Sequence, residues 1–360
     1  MDRNKDKARD RGQTAAKSGK KPAYSGAAQN KSVKSSSAGS SLPRDRKNKK
    51  NTKQNPGSRA AVRSNRAHSA GQAARRRIPV HLLMLFLLLA CFFLGRKYLA
   101  DRREQTPDAK DEVMTIYAPQ LSQAADAFLF VKDGEAILMD TGVTEDSEPL
   151  IHLLDQQHIT NLKALILTHY DKDHIGGAAV VLDHVSVERC YMSCASADSE
   201  EYEALMDALD RSQAEQIMLT EACSFSELGG EWIIYPPLSY DYSSNQDNNC
   251  SLITEITFMG QHLLYAGDAQ KERINEYLKE QYDGTSFRFL KMPHHGRSTK
   301  VTRALLEVFQ PEICLITSSD EEPEEEEVME LLEEAHVETY LTREGSVTMK
   351  VNQNGISLQQ

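Results

Sequence analysis

The chain has 360 residues, 42 Lys and Arg against 53 Asp and Glu, a formal net charge of −11 and 40% hydrophobic residues. That is too polar for a polytopic membrane protein, and the composition excludes collagen-like, disulfide-framework and fully disordered classes. The charge is unevenly divided: residues 1–77 hold 22 Lys and Arg against four Asp, a net of +18, which leaves −29 on residues 78–360.

Residues 1–77 are Lys, Arg, Ser, Ala, Asn, Gly and Gln with almost no large apolar side chains. Such a segment cannot bury enough surface to offset the entropy of ordering, so a disordered basic tail is predicted. Arg75, Arg76 and Arg77 then run into IPVHLLMLFLLLACFFLG, residues 78–95, which carries no formal charge and is followed by Arg96 and Lys97. At about 1.5 Å per residue this run spans roughly 27 Å, enough for one transmembrane helix. The positive flank before it predicts a cytoplasmic N-terminus in the cell membrane and an extracytoplasmic acidic domain beyond a linker at 96–111. A lipoprotein-type cleavage box at Leu88-Leu89-Ala90-Cys91 is the rival, but its basic leader is too long and Phe92-Phe93 continue the apolar run. The tail suits anionic lipid or nucleic acid, although a solvated segment that fixes topology is the simpler reading. No C-x-x-C pair occurs; Cys190 and Cys194 could pair in an oxidising space, with buried thiols the default.

Residues 112–360 read as one α/β unit. Runs 127–131 and 136–139 flank the turn Lys132-Asp133-Gly134 as a hairpin; 147–157 has helical spacing, 162–168 is a buried strand, 176–184 a helix, 185–191 a strand and 199–211 a helix. A second cycle follows: hairpin 251–258/262–265, helix 270–281, strand 287–290, helix 303–309, strand 313–317, helix 324–335, and strands near 337–341 and 346–351. Hairpins mixed with β-α alternation, occurring twice, predict two sheets with helices outside.

Chemistry-bearing residues gather at predicted strand ends. LKALILT runs directly into His169-Tyr170-Asp171-Lys172-Asp173-His174 and the pair Gly176-Gly177, four potential metal ligands in six residues. Asp140-Thr141-Gly142, Gly267-Asp268 and Pro293-His294-His295-Gly296 end three further strands. Singly each is a cap or a turn; together they put imidazoles and carboxylates where open α/β architectures build sites. No G-x-S-x-G is present, so a serine triad is not expected.

This ordered set resembles the metallo-β-lactamase superfamily, and within it the ComEC-like hydrolase domains of DNA-uptake proteins, over about residues 112–357, including LKMPHHG. The resemblance implies a four-layer αβ/βα sandwich holding two divalent metal ions, Zn or Mn. It implies that His169 and Asp171 hold the first ion, Asp173 and His174 the second, that Asp268 bridges them, and that one of His294 and His295 completes the second site. The first site's usual third ligand, a His, is replaced by Asn248-Asn249-Cys250-Ser251. Asp140 would hydrogen-bond the ligand loop, and Asn249, Arg297 and Ser298 would support the site or substrate. Asp171 in place of a second His makes the first site harder, so Mn²⁺ stands beside Zn²⁺.

The implied activity is hydrolysis of a phosphodiester, nucleic acid included, by a metal-bound hydroxide that Asp173 orients, with the free His of His294-His295 stabilising the oxyanion. Arg297 and Ser298 would hold a phosphate oxygen. The strongly negative domain opposes a polyanionic substrate unless the site is locally positive. One alternative is a lactone or β-lactam hydrolase with an apolar cleft lined by Trp232 and Tyr235; another is a membrane-tethered binding domain with little catalysis. The acidic run around Glu324 reads as a solvated helix face.

Overall fold

The computed structural model describes residues 112–360; the basic tail, the apolar run 78–95 and the linker 96–111 lie outside the described residues. Among the described residues no helix is long and apolar enough to cross a membrane. In chain order the strands are β1 (Met114–Ala118), β2 (Phe128–Lys132), β3 (Glu135–Met139), β4 (Asn161–Leu162), β5 (Ala164–Leu167), β6 (Ser186–Val187), β7 (Arg189–Ser193), β8 (Glu215–Leu219) and β9 (Cys223–Glu227). They continue as β10 (Gly230–Tyr235), β11 (Ile253–Phe258), β12 (Gln261–Tyr265), β13 (Phe289–Lys291), β14 (Ile313–Ile316), β15 (Glu338–Leu341), β16 (Val347–Asn352) and β17 (Gly355–Gln359).

Two large sheets result, one ordered β17-β16-β1-β2-β3-β5-β7-β8 and the other β15-β14-β13-β12-β11-β10-β9. Each joins an antiparallel half to a parallel half: β3, β5, β7 and β8 run parallel in the first, β12 to β15 in the second. The parallel strands therefore deliver their C-terminal ends, where the predicted site residues lie, to one edge of each sheet.

The sheets are held together by an apolar layer drawn from both, including Phe128, Phe130, Trp232, Tyr265 and Phe289. Trp232 takes Phe130 edge-on at 4.9 Å and stacks on Phe225 at 5.9 Å, which itself stacks on Tyr191 at 4.9 Å. Side chains of this size contribute roughly 1.5–3 kcal/mol each when fully buried, and alternation along the strands puts every second one into this layer. The opposite faces are covered by helices: α1 (Ser147–Gln156), α2 (Lys172–Ile175), α3 (Ala178–His184) and α4 (Glu200–Arg211) over the first sheet. After a short turn of helix, α5 (Gln246–Asn249), the second sheet is covered by α6 (Lys271–Glu276), α7 (Thr302–Phe309) and α8 (Glu326–Glu334). This is the helix–sheet–sheet–helix layering that was expected. The predicted helix 270–281 is α6 continued by one π-type turn, Tyr277–Gln281, and the predicted helix 176–184 is α3, which starts at Ala178 after Gly176-Gly177, with the short α2 before the glycine pair in the ligand loop.

All five cysteines of the described residues are free, Cys190, Cys250 and Cys314 buried among them. Glu326, Glu327 and Glu330 of the acidic run face solvent, but Glu324 does not: its carboxylate accepts from Ser318 Oγ at 2.7 Å and from Arg343 Nε and Nη2 at 3.0 Å. That corrects the reading of the run as wholly solvated.

Candidate metal centre

The ligand loop leaves the end of β5 and is clamped from both sides. Thr141 gives both its backbone N–H, at 2.7 Å, and its hydroxyl, at 2.9 Å, to the carbonyl of His174, and Asp126 N–H donates to the carbonyl of Asp173 at 3.1 Å. The approach is so close that only glycine fits after it. A Cβ on Gly176 would lie 2.4 Å from Thr144 N, and one on Gly177 2.5 Å from the Thr141 carbonyl. The Asp-Thr-Gly and Gly-Gly motifs are thus two halves of one joint.

Asp140 closes that joint over the imidazoles. With φ at +54° it turns its carboxylate back, accepting from Thr168 N–H at 2.8 Å, Thr168 Oγ1 at 2.7 Å and His174 Nδ1 at 2.8 Å. Thr168 spends its single hydroxyl proton on Asp140, so it accepts from His169 Nδ1 at 3.2 Å. Both rings therefore hold their Nδ1 protons outward and turn Nε2 inward. Both Nε2 atoms are buried and have no hydrogen-bond partner.

The second sheet supplies the facing groups. After β12, Asp268 is set by its N–H donating to Ser251 Oγ at 3.1 Å. Its Oδ1 lies 3.3 Å from His174 Nε2 and its Oδ2 3.1 Å from His295 Nε2. After β13, three consecutive residues take positive φ, His294 (51°), His295 (50°) and Gly296 (76°), a strained turn costing of order 1–3 kcal/mol per non-glycine residue. It points the two rings apart. His295 enters the cluster, giving Nδ1–H to the Thr317 carbonyl at 3.0 Å and facing Asp173 Oδ2 with Nε2 at 3.1 Å. His294 stays half-buried outside it, with Gln270 Nε2 3.2 Å from its Nδ1.

One ligand atom each from Asp173, His174, Asp268 and His295 lies within 4.8 Å of the others. His169 and Asp171 sit beside this group, their Nε2 and Oδ2 3.5 Å apart and the His169 ring 4.1 Å from that of His174. The residues expected for the second site are thus drawn together, those of the first less so.

Under the cluster lies a fully buried lysine. Lys291 Nζ pairs with Asp126 Oδ2 at 2.5 Å and reaches Asp268 Oδ1 at 3.4 Å, while Asp126 Oδ1 accepts from Thr317 Oγ1 at 2.6 Å. Neither Lys291, Asp126 nor Thr317 was singled out from sequence. The signal was a charged residue inside an apolar strand, in FLKMP, and an Asp inside AADAFLF. Burial works against charge throughout, yet it loses. His174 is held well above the usual imidazole range by Asp268, Asp140 and Asp126, and His295 is raised to about 9 by Asp268 and Asp173. Asp173 and Asp268 stay well below the usual carboxylate range despite burial, through His295, His174 and, for Asp268, Lys291. His294 goes the other way, burial lowering it. The pocket asks for more positive charge than Lys291 supplies. Inward imidazole nitrogens and carboxylate oxygens are the donor set of a divalent ion with mixed N and O ligands, so the residues present fit one.

The model of the metallo-beta-lactamase superfamily matches residues 123–193, the stretch holding Asp126, Asp140 and the whole ligand loop. Over this stretch the chain is similar to the metallo-β-lactamase superfamily. It is 27% identical over 200 residues to ComE operon protein 3 of Bacillus subtilis, covering 51% of this chain and 25% of that protein. It is also 27% identical over 203 residues to Recombination protein 2 of Haemophilus influenzae, covering 53% and 23%. The chain thus spans about a quarter of the length of these relatives. Among solved structures, the metallo-beta-lactamase fold protein YhfI from Bacillus subtilis aligns over 66% of this chain and 99% of its own, with 12% identity and a TM-score of 0.47.

Three of the residues expected to support the site lie elsewhere. Asn249 is buried, but its Oδ1 accepts from the N–H groups of Gln270 and Arg273 at 3.2 and 3.1 Å and its Nδ2 donates to the Ser244 carbonyl at 2.8 Å. It caps α6, and both acceptor positions of its Oδ1 are spent there, leaving none for an ion. Ser298 gives its N–H to Glu325 at 3.0 Å, placing a carboxylate where a phosphate oxygen was expected. Arg297 packs with Ala269, Met292, Pro293 and Leu305 around a small cavity behind the His-His turn. Trp232 belongs to the inter-sheet core and Tyr235 packs edge-on to Tyr277 at 5.5 Å, so neither lines an apolar cleft at the centre.

Proposed function

We propose that the protein is a membrane-anchored, metal-dependent hydrolase of phosphodiesters, nucleic acid among them. The observation that carries the metal-dependent reading is the buried, unpartnered Nε2 of His174 grouped with Asp173, Asp268 and His295, with the equally unpartnered Nε2 of His169 beside it near Asp171. A divalent ion bound there supplies Lewis acidity and makes water a competent nucleophile near neutral pH. Asp173, fixed by His295, accepts a hydrogen bond from the attacking water and orients it. Asp268 ties the two sheets' contributions into one centre. His294, outside the ligand group and kept neutral by burial, donates a hydrogen bond to the oxygen on which charge develops.

The phosphodiester preference rests on the likeness to ComEC-like domains, and residues 78–95 would anchor the chain with the +18 tail on the cytoplasmic side. The sparsely liganded first site favours a second reading, a tethered binding domain with little catalysis. Turnover of bis-p-nitrophenyl phosphate by the full chain with Zn²⁺ or Mn²⁺, beside an Asp173→Ala/His174→Ala double variant and a generic lactone, separates the readings. Phosphodiester turnover that falls at least about 10³-fold in the double variant is expected. Lactone turnover alone, or equal background in both proteins, would contradict it.

A further inference from the structure

His294 is the one imidazole of the His-His turn that does not join the ligand group, and its two nitrogens have different surroundings. Nδ1 meets Gln270 Nε2 at 3.2 Å. Nε2 has no hydrogen-bond partner among the described residues and is not among the buried unpartnered atoms, so it opens to solvent. Gln270 is the residue just before α6, and its place is fixed twice. Its N–H donates to Asn249 Oδ1 at 3.2 Å, and its side-chain Oε1 accepts from Asn245 Nδ2 at 2.5 Å. Asn245 is itself held in a left-handed turn at φ +46°, its carbonyl accepting from Asn249 N–H at 2.9 Å.

Chemistry follows from which end of the amide faces the ring. With Oε1 committed to Asn245, Gln270 offers an N–H to His294, so Nδ1 must be the acceptor and the proton of the neutral ring must sit on Nε2. One net hydrogen bond of about 1 kcal/mol biases the two tautomers by about fivefold. We infer that Gln270, held by Asn245 and Asn249, is a positioning residue that fixes His294 as the Nε2–H tautomer and so makes it a hydrogen-bond donor to a substrate oxyanion of the phosphoryl class. Asn245 and Asn249 act on the reaction through this relay. The role of His294 as donor rests on the hydrolase reading above; its tautomer does not.

The test uses the full chain labelled with ¹⁵N-histidine, read by long-range ¹H–¹⁵N correlation at about pH 8, where an ordinary imidazole is neutral, with His294→Gln assigning the signal. The expected wild-type pattern is Nε2 protonated and Nδ1 bare. Gln270→Leu should leave a mixture of tautomers and lower kcat on bis-p-nitrophenyl phosphate about twofold with KM unchanged. Gln270→Glu, whose carboxylate can only accept, should move the proton to Nδ1 and lower kcat further. A wild-type Nδ1–H tautomer, or a Gln270→Leu protein with unchanged tautomer, overturns the inference. A wild type with the expected tautomer but no turnover would leave the relay standing and defeat the phosphodiesterase reading alone.

Discussion

At the scale of single residues, the centre works by occupying the outer nitrogen of each imidazole so that the inner one is free. Asp140, Thr168 and Thr317 do this for His174, His169 and His295 in turn. Asp140 was legible from sequence because it ends a strand in Asp-Thr-Gly. Thr317 was not, since a lone Thr after ICLI carries no signal until the second sheet's order places β14 beside β13. Glu324 shows the same limit. Its surroundings in sequence are acidic and exposed, yet Arg343, nineteen residues on, encloses it. Burial raises its pKa, but the hydrogen bonds from Arg343 and Ser318 outweigh that and hold it below its ordinary 4.5. A carboxylate with a depressed folded pKa adds stability that is present above its unfolded pKa and is lost as pH falls through the folded one. Glu324→Gln should therefore be less stable than wild type by about 1–2 kcal/mol at pH 7 in chemical denaturation. The gap should close as pH falls below about 4.5; a gap independent of pH would refute the pairing.

At the scale of elements, the predicted strands and helices that carry site residues were found close to their expected ends, because long apolar runs stop abruptly at Asp140, His169, Asp268 and His294. The strands missed were β1, β8, β9, β10 and β17. β8, β9 and β17 lie at sheet edges, where one face of a short strand is wet and no apolar run develops; β9, CSFSE, shows only a weak alternation. The glycine pair after the ligand loop was read as a helix start, whereas it is the contact surface between α2–α3 and the Asp-Thr-Gly turn. Gly176→Ala, whose Cβ would collide with backbone atoms at 2.4 and 2.6 Å, cannot be relieved by a side-chain rotation. It should destabilise the fold by more than about 2 kcal/mol and weaken metal binding with it. A thermal melt indistinguishable from wild type would show that the joint is looser than described.

At the scale of the whole molecule, two sheets each contribute half of the centre, so the site exists only when they are packed together. His169, Asp171, Asp173 and His174 come from the first sheet's parallel half, Asp268, His294 and His295 from the second's. The sequence order of the motifs made this grouping readable without coordinates; which histidine turns inward was not, because that depends on three successive left-handed residues. Lys291 gives the centre an internal cation that competes with nothing in solution, since it is sealed between Asp126 and Asp268. The most direct measurement is therefore metal content of the purified full chain by mass spectrometry, after dialysis, for wild type, His295→Ala and His294→Ala. Bound divalent metal in the wild type and in His294→Ala, with a loss of at least about tenfold in affinity in His295→Ala, is the predicted result. Equal retention in His295→Ala, or no metal in the wild type, would contradict the assignment of this cluster as a metal centre.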